Sequence, residues 1–486
     1  MTKKQILKYL EENELNVQSA PASVVALDLV YVGYIDSDEI HGIKYSPIFS
    51  HICSKNLKPF YQIIPQKIIT KISAKIYSDY SKDPKSLENK IKKHKELQEK
   101  LDMLWKKRFK MEPLKFYKKF IKTSREWWKY GSIGEDKAEA ISQEITPKFA
   151  KRHNLNIKEA SEIMNILSFP KIQSIFNLER TDFLEICLDF LNKKISNKKI
   201  NNYIKKYFWF KTDFYKTKHI TPEFLKKEVL KEIKKRKKES ISKELKEIKN
   251  HFKEIHNQKR KIISNLKITE QDKKDIYFAE ETIYWFDQRK EEMMIQLHYL
   301  FSFLEDLAKK YHLNYYDLAD CTVGELESFL KNKKKISKTE KKKREKGVFL
   351  VYEKNKKVKM FYNRNAQEML DVVFHSDEKK LKGRVASTGG LEKVKGKARI
   401  ILNPEKDKFN KGDILVASMT RIEFVPLMRK AKAIITNEGG IACHAAIVSR
   451  ELGIPSIIGT KSATRILKDN DLVELNLKTG IIKIIK

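Results

Sequence analysis

Residues 433–459 carry the pattern that most restricts how this chain can fold. Ala433-Ile-Ile-Thr436 is short, apolar and β-branched, as expected of a buried strand. Gly439-Gly440 then permits a tight turn that bulkier residues would resist. A helix is expected from about Cys443 to Leu452, stopped by Gly453 and Pro455, with a second strand at Ser456-Ile-Ile. That order puts His444 in the first helical turn, where unpaired N–H groups and the helix dipole favour an anion.

A neutral imidazole is a competent nucleophile near pH 7, so a histidine placed there suits a residue that carries a phosphoryl group. One ring nitrogen would attack phosphorus, while the other needs a partner to fix tautomer and orientation. Cys443, Thr436 or a backbone carbonyl could supply it. Most of the 11 histidines need no such role, since a lone histidine is usually solvated or hydrogen-bonded without chemistry.

About 25 residues of this stretch resemble the phosphohistidine motif of the phosphoenolpyruvate-utilising enzymes, which include phosphoenolpyruvate synthase, pyruvate phosphate dikinase, phosphotransferase-system enzyme I and rifampin phosphotransferase. The resemblance implies His444 as the phosphocarrier, with Thr436, Gly439, Gly440, Cys443, Arg450 and Arg421 binding phosphate or supporting it. The residue before the histidine is commonly Ser, Thr or Cys in the family, and Cys443 fits. Asn437 stands where Asp is more usual, which weakens any role for a carboxylate there. Arg450 (in Ser-Arg-Glu) and Arg421 (in Met-Thr-Arg) fall at matching positions and suit bidentate phosphate contacts, although surface ion pairs account for them equally well. Upstream, Leu381-Lys-Gly-Arg-Val-Ala-Ser and Val394-Lys-Gly-Lys-Ala-Arg-Ile resemble the opening strands of the family's swivelling domain. Residues 385–486 are therefore expected to form a β/β/α mobile domain behind a hinge at 376–384. Ten of the 16 glycines lie from Gly383 onward, marking a change of architecture.

The remainder bounds the answer from outside. Cys53, Cys187, Cys321 and Cys443 are scattered and form no CxxC pair, so neither a disulfide framework nor a metal site is expected. The N-terminus lacks a signal-peptide core, and no apolar run approaches the ~20 residues of a membrane span. A cytoplasmic protein is the expectation. The formal charge of +37 invites a nucleic-acid reading, but it comes from 86 lysines against 15 arginines, spread over nearly every surface helix. Nucleic-acid sites gather basic residues on one face and lean on arginine, so a solvated lysine surface is the better account, and no nucleic-acid partner is expected.

The fold class expected is α+β and multidomain: a largely helical N-terminal and central region before the C-terminal mobile domain. Residues 1–84 read as a mixed segment and 85–375 as a mostly helical, substrate-binding domain with a β-hairpin near 347–363. Apolar residues recur at three and four from Pro222 to Leu266, as in one long helix or a helical hairpin. Another helix is expected from about Ala279 to Tyr311, and the charge run Lys331–Lys346 reads as an exposed linker.

Tyr207-Phe-Trp-Phe, Thr221-Pro-Glu-Phe-Leu and the Trp285–Arg289 helix resemble the substrate domain of rifampin phosphotransferase. Only 42 residues follow His444, fewer than the roughly 250 of a (β/α)₈ barrel, so phosphoenolpyruvate synthesis by this sequence alone is not expected. Residues 1–130 hold only Gly33 and Gly42, leaving no glycine-rich loop for an ATP-grasp domain.

These resemblances imply a split phosphotransferase, as in phenylphosphate synthase. A separate ATP-grasp protein would bind Mg-ATP and charge His444, and the mobile domain would pass the phosphoryl group to a small-molecule hydroxyl. No cofactor or metal is expected in this chain. Trp209, Trp285, Arg289 and His298 are the candidates for the acceptor pocket, with plain core packing as the competing account. The other class of function open at this stage is a nonenzymatic binding protein that engages RNA or an acidic partner and is regulated by phosphorylation.

Overall fold

The computed structural model describes all residues except 14, 21, 45–46, 53–59, 133–139, 355–357, 376–380, 403, 405–406, 421–423, 438–443, 461 and 486. Helix Val24–Ile35 is apolar on every side and buries eleven of its twelve residues, so it must be covered all round. One side is covered by a five-stranded antiparallel sheet of β1 (Leu15–Ala20), β2 (Ile48–Ile52), β3 (Phe60–Pro65), β4 (Val348–Tyr352) and β5 (Lys359–Tyr362). Their spatial order is β1-β3-β2-β4-β5, with Ile48 opposite Tyr352 and Phe49 opposite Val351. Every residue of β4 is buried because both its faces are covered: Leu350 packs toward helix Val24–Ile35, whereas Phe349 and Val351 pack toward Lys3–Glu11 and Asn363–His375.

This sheet corrects the expected division at residue 84. The hairpin at 348–362 exists, but it completes a sheet begun by the first 65 residues. Helices Val24–Ile35 and Gln66–Lys82 also share one core with Lys85–Lys106 and Pro113–Gly131.

Helix Glu270–Lys310 is about 60 Å long at 1.5 Å per residue. It starts nine residues before the expected Ala279, because Thr269 and Asp272 form a capping box. The expected single element at 222–266 is two helices, Pro222–Lys235 and Lys238–Asn265. The chain breaks at Arg236, which is extended and folds back to pair with Glu232 and Glu244, both also held by Arg180. The expected linker at 331–346 is corrected too: Lys338–Lys346 is a helix whose Arg344 is buried, donating to Glu325, Glu340 and the Asp320 carbonyl.

The arginine box has a pH signature. Burial works against ionisation of Glu232 and Glu244, but the hydrogen bonds and charges of Arg180 and Arg236 outweigh it and hold both carboxyls below their usual range. Their stabilisation is then complete above the unfolded Glu pKa of about 4.3 and is lost as pH falls through the lower folded values. Urea unfolding between about pH 6 and pH 3 is expected to show this loss, reduced in Arg180→Met.

The C-terminal unit is built on seven strands: β6 (Arg384–Ser387), β7 (Lys393–Ile400), β8 (Ile414–Ala417), β9 (Ala433–Thr436), β10 (Ser456–Ile458), β11 (Leu472–Asn476) and β12 (Ile482–Ile485). The spatial order is β12-β11-β7-β8-β9-β10-β6, with β7 to β10 parallel and the outer strands antiparallel. Its apolar cores draw only on residues from Leu381 onward. The expected hinge is corrected at its C-terminal end: Leu381 is buried, Gly383 N donates to the Gly480 carbonyl, and Arg384 opens β6. Residues 376–380 of that hinge lie outside the described residues.

Candidate functional site

Strand β9 is central, parallel to β8 and β10, and wholly buried, which explains its unbroken apolar sequence. The chain leaves the sheet at Ala417, Thr436 and Ile458 on one edge, the carboxyl ends of three adjacent parallel strands. In open α/β sheets that edge is where ligands collect. Backbone bonds tie the exits together, Asn437 N donating to the Ala417 carbonyl and Thr460 N to the Thr436 carbonyl. Thr436 is fully buried, and its carbonyl also accepts from Thr460 Oγ1 at 2.9 Å.

Gly439, Gly440, Cys443 and Arg421 lie outside the described residues. The helix after β9 runs His444–Glu451, so His444 is its first residue. That helix is anchored by Ala445 and Ala446, both buried, and by Ser449, whose Oγ is 2.7 Å from Ser456 Oγ. Gly453 ends it at φ 64°, with Ile454 N bonded back to the Ser449 carbonyl. Arg450 is exposed and its Nε donates to the Ala386 carbonyl of β6 at 2.9 Å, a bond that ties helix to strand. Asn437 Nδ2 donates to Thr464 Oγ1 at 2.6 Å while its Oδ1 accepts from Thr464 N at 2.9 Å. The amide thus has a structural task, clamping the β9 exit to the segment after β10.

The four acceptor-pocket candidates fall into separate places. His298 is buried with Nδ1 2.8 Å from Thr217 Oγ1 and 3.3 Å from Thr212 Oγ1, and burial pushes its pKa down to about 4. Trp209 is buried against Phe210. Trp285 and Arg289 lie on one face of helix Glu270–Lys310, roughly three turns from His298. Thirteen residues of helix separate Trp285 from His298, so the two lie in different surroundings.

Around Trp285 and Arg289 lies a group of buried polar residues that sequence reasoning missed. His94 Nδ1 is 3.1 Å from Glu292 Oε2, which also accepts from Trp127 Nε1 at 3.0 Å. Ser124 Oγ donates to Gln296 Oε1 at 2.6 Å, Gln296 Nε2 to Gln98 Oε1 at 3.0 Å, and Gln98 Nε2 to Asp102 at 2.9 Å. Arg289 Nη1 is 3.4 Å from Tyr34 Oη, and burial beside Glu292 pushes the Glu291 carboxyl up to about 7. The signal was present in the spacing: Trp285, Arg289, Glu292, Gln296 and Tyr299 recur at four, three, four and three, placing polar residues on an inward stripe.

A family model described as the PEP-utilising enzyme, mobile domain, matches residues 409–480. Over 103 residues the chain is 48% identical to probable phosphoenolpyruvate synthases of Archaeoglobus fulgidus and Methanothermobacter thermautotrophicus. Over 98 residues it is 44% identical to the phosphoenolpyruvate synthase of Aeropyrum pernix. Those stretches are 21%, 21% and 20% of this chain but 13%, 15% and 12% of the relatives, so the chain spans a small part of each. A solved structure of Thermococcus kodakaraensis aconitase X aligns with 22% of this chain and 98% of its own at 22% identity and a TM-score of 0.18. The C-terminal unit is thus similar to the mobile domain of the phosphoenolpyruvate-utilising enzymes. Among the described residues, no helix is long and apolar enough to cross a membrane.

Proposed function

We propose that this chain is the phosphocarrier and acceptor component of a split phosphotransferase. A separate ATP-grasp protein binds Mg-ATP and phosphorylates His444; the mobile domain then delivers the phosphoryl group to a small-molecule hydroxyl bound by the helical body. The observation that carries this reading is the family match over 409–480, with His444 as the first residue of the helix after β9. Carrying the group on an imidazole splits one difficult transfer into two, each with its own electrostatic surroundings. Arg450 and Arg421 are proposed to steady the phosphoryl group, with Thr436, Gly439, Gly440 and Cys443 shaping the loop beneath it. Trp285 and Arg289 are proposed to lie at the acceptor site, while Trp209 and His298 are buried in contacts of their own.

The test uses ATP labelled separately at the β and γ positions, with the protein alone and with source-cell lysate supplying the partner. Acid-labile, base-stable label from the β position, appearing only with lysate, is the expected result. Label from phosphoenolpyruvate and none from ATP would replace the donor, and no label from either would overturn the carrier reading.

A further inference from the structure

Among the described residues, His94 has one ring nitrogen engaged and one with no partner. Its Nδ1 lies 3.1 Å from Glu292 Oε2, and the Trp285 indole N–H donates toward the same nitrogen from farther off, at 3.4 Å. The nearer carboxylate favours the tautomer with the proton on Nδ1. Glu292 is itself held by Trp127 Nε1, so the carboxylate, and through it the imidazole plane, is fixed. Nε2 is then a bare acceptor on a side chain with 0% exposure, and no donor among the described residues reaches it. Leaving such an acceptor unpaired costs about 1–3 kcal/mol, and the great majority of buried polar atoms are paired.

The space over Nε2 is kept by a glycine. A Cβ on Gly131 would come 3.4 Å from Nε2 and 3.1 Å from the Trp127 ring. Aromatic walls flank the imidazole, Trp127 at 4.2 Å between centroids and Trp285 at 5.5 Å. Arg289 is buried close by, and its charge opposes protonation of His94. Burial does more than Arg289 to push the imidazole toward its neutral form, the form that accepts a proton.

We propose that His94, oriented by Glu292, binds the hydroxyl of the phosphoryl acceptor at Nε2 and removes its proton during transfer. The proposal rests on the phosphotransferase reading above. In this step the acceptor oxygen bonds to phosphorus and the P–N bond to His444 breaks, its electron pair staying on the ring nitrogen. The hydroxyl proton moves to His94 Nε2, giving an imidazolium paired with Glu292 that later returns the proton to water. Arg289 offsets the charge on the moving phosphoryl group. The tryptophan walls select a hydroxyl carried on a ring, as in a phenol or a sugar.

Protein labelled on His444 is freed of nucleotide and chased separately with phenol, with glucose and with small-molecule extract of the source cells. Wild type is expected to pass label to one of them, the phenol and glucose arms separating aromatic from sugar acceptors. His94→Gln is expected to slow the chase at least about 100-fold while His444 still labels normally. Gly131→Ala, whose methyl takes the space over Nε2 and is favoured in a helix, is expected to slow it about tenfold or more. Imidazole should restore the chase in His94→Ala, which a merely structural role would not produce.

A wild-type chase rate in His94→Gln and Gly131→Ala overturns the base while leaving the carrier standing. Absence of label on wild-type His444 overturns the carrier itself. The His94 tautomer, read by nitrogen-15 NMR on the unlabelled protein, decides where no chase compound accepts label. A proton on Nδ1 supports the proposal, and a proton on Nε2 overturns it.

Discussion

Replacing His444 by alanine is expected to cut acid-labile labelling by three orders of magnitude or more, on the order of the cost of losing a covalent nucleophile. The loss follows from the proposed role of His444 as the residue that bonds to phosphorus. The fold should survive the change. The helix that begins at His444 is held by Ala445 and Ala446, by the Ser449–Ser456 hydroxyl pair and by its Gly453 stop. Unchanged thermal unfolding together with lost label is therefore the expected pair of results. Label at the wild-type level in the alanine variant would move the carrier to another residue, which acid and base stability of the adduct would begin to identify.

A second large effect is expected in the helical body. Asp272 and Asp275 have no exposed surface and lie one turn apart near the start of helix Glu270–Lys310. Arg152 Nε is 2.8 Å from Asp272 Oδ1, and its Nη2 is 2.6 Å from Asp275 Oδ2. His153 Nε2 lies 2.9 Å from Asp272, and Tyr77 Oη donates to Asp275 at 2.7 Å. Burial opposes the charge on Asp272, yet its bonds to Thr269, His153 and Arg152 hold the carboxyl below the ordinary range. Arg152→Met shortens the side chain little and removes the one guanidinium that, among the described residues, both acids share. A destabilisation of about 3–5 kcal/mol is expected, the usual cost of stranding a buried charge. Acid should relieve part of it, because protonation removes the uncompensated charge. The variant's deficit in urea unfolding should therefore shrink from pH 7 toward pH 5. A deficit below about 1 kcal/mol, or one independent of pH, would show that water or rearrangement replaces the guanidinium.

The mobile domain could be read from sequence because its information is local. Strands β7 to β10 are neighbours in the sheet in the order in which they occur in the chain, so the apolar runs and the His444 helix stand in sequence as they stand in space. The helical body hid more. Strand β1 is a short alternation, Leu15-Asn-Val-Gln-Ser-Ala, with no turn signal pointing to a partner. The Lys338–Lys346 helix has no apolar stripe at all; its inward residue is Arg344, recognisable only when Glu325 and Glu340 are in place. His94 and Glu292 were invisible for a related reason. In a chain this rich in lysine and glutamate, polar residues at core spacing look like surface, and the two lie 198 positions apart.

The five-stranded sheet sets a condition on how this protein comes into being. Ile48 pairs with Tyr352 and Ile52 with Val348, so the middle of the sheet joins segments about 300 residues apart. At about 5–20 residues per second, β2 waits roughly 15 to 60 seconds on the ribosome for the strand that covers its edge. Until then β2 presents unpaired backbone beside an apolar helix, the kind of edge that invites wrong partners. Translation speed and chaperone supply across residues 66–347 should accordingly govern the yield of active protein, and a fragment begun at residue 85 would lack three of the five strands it needs.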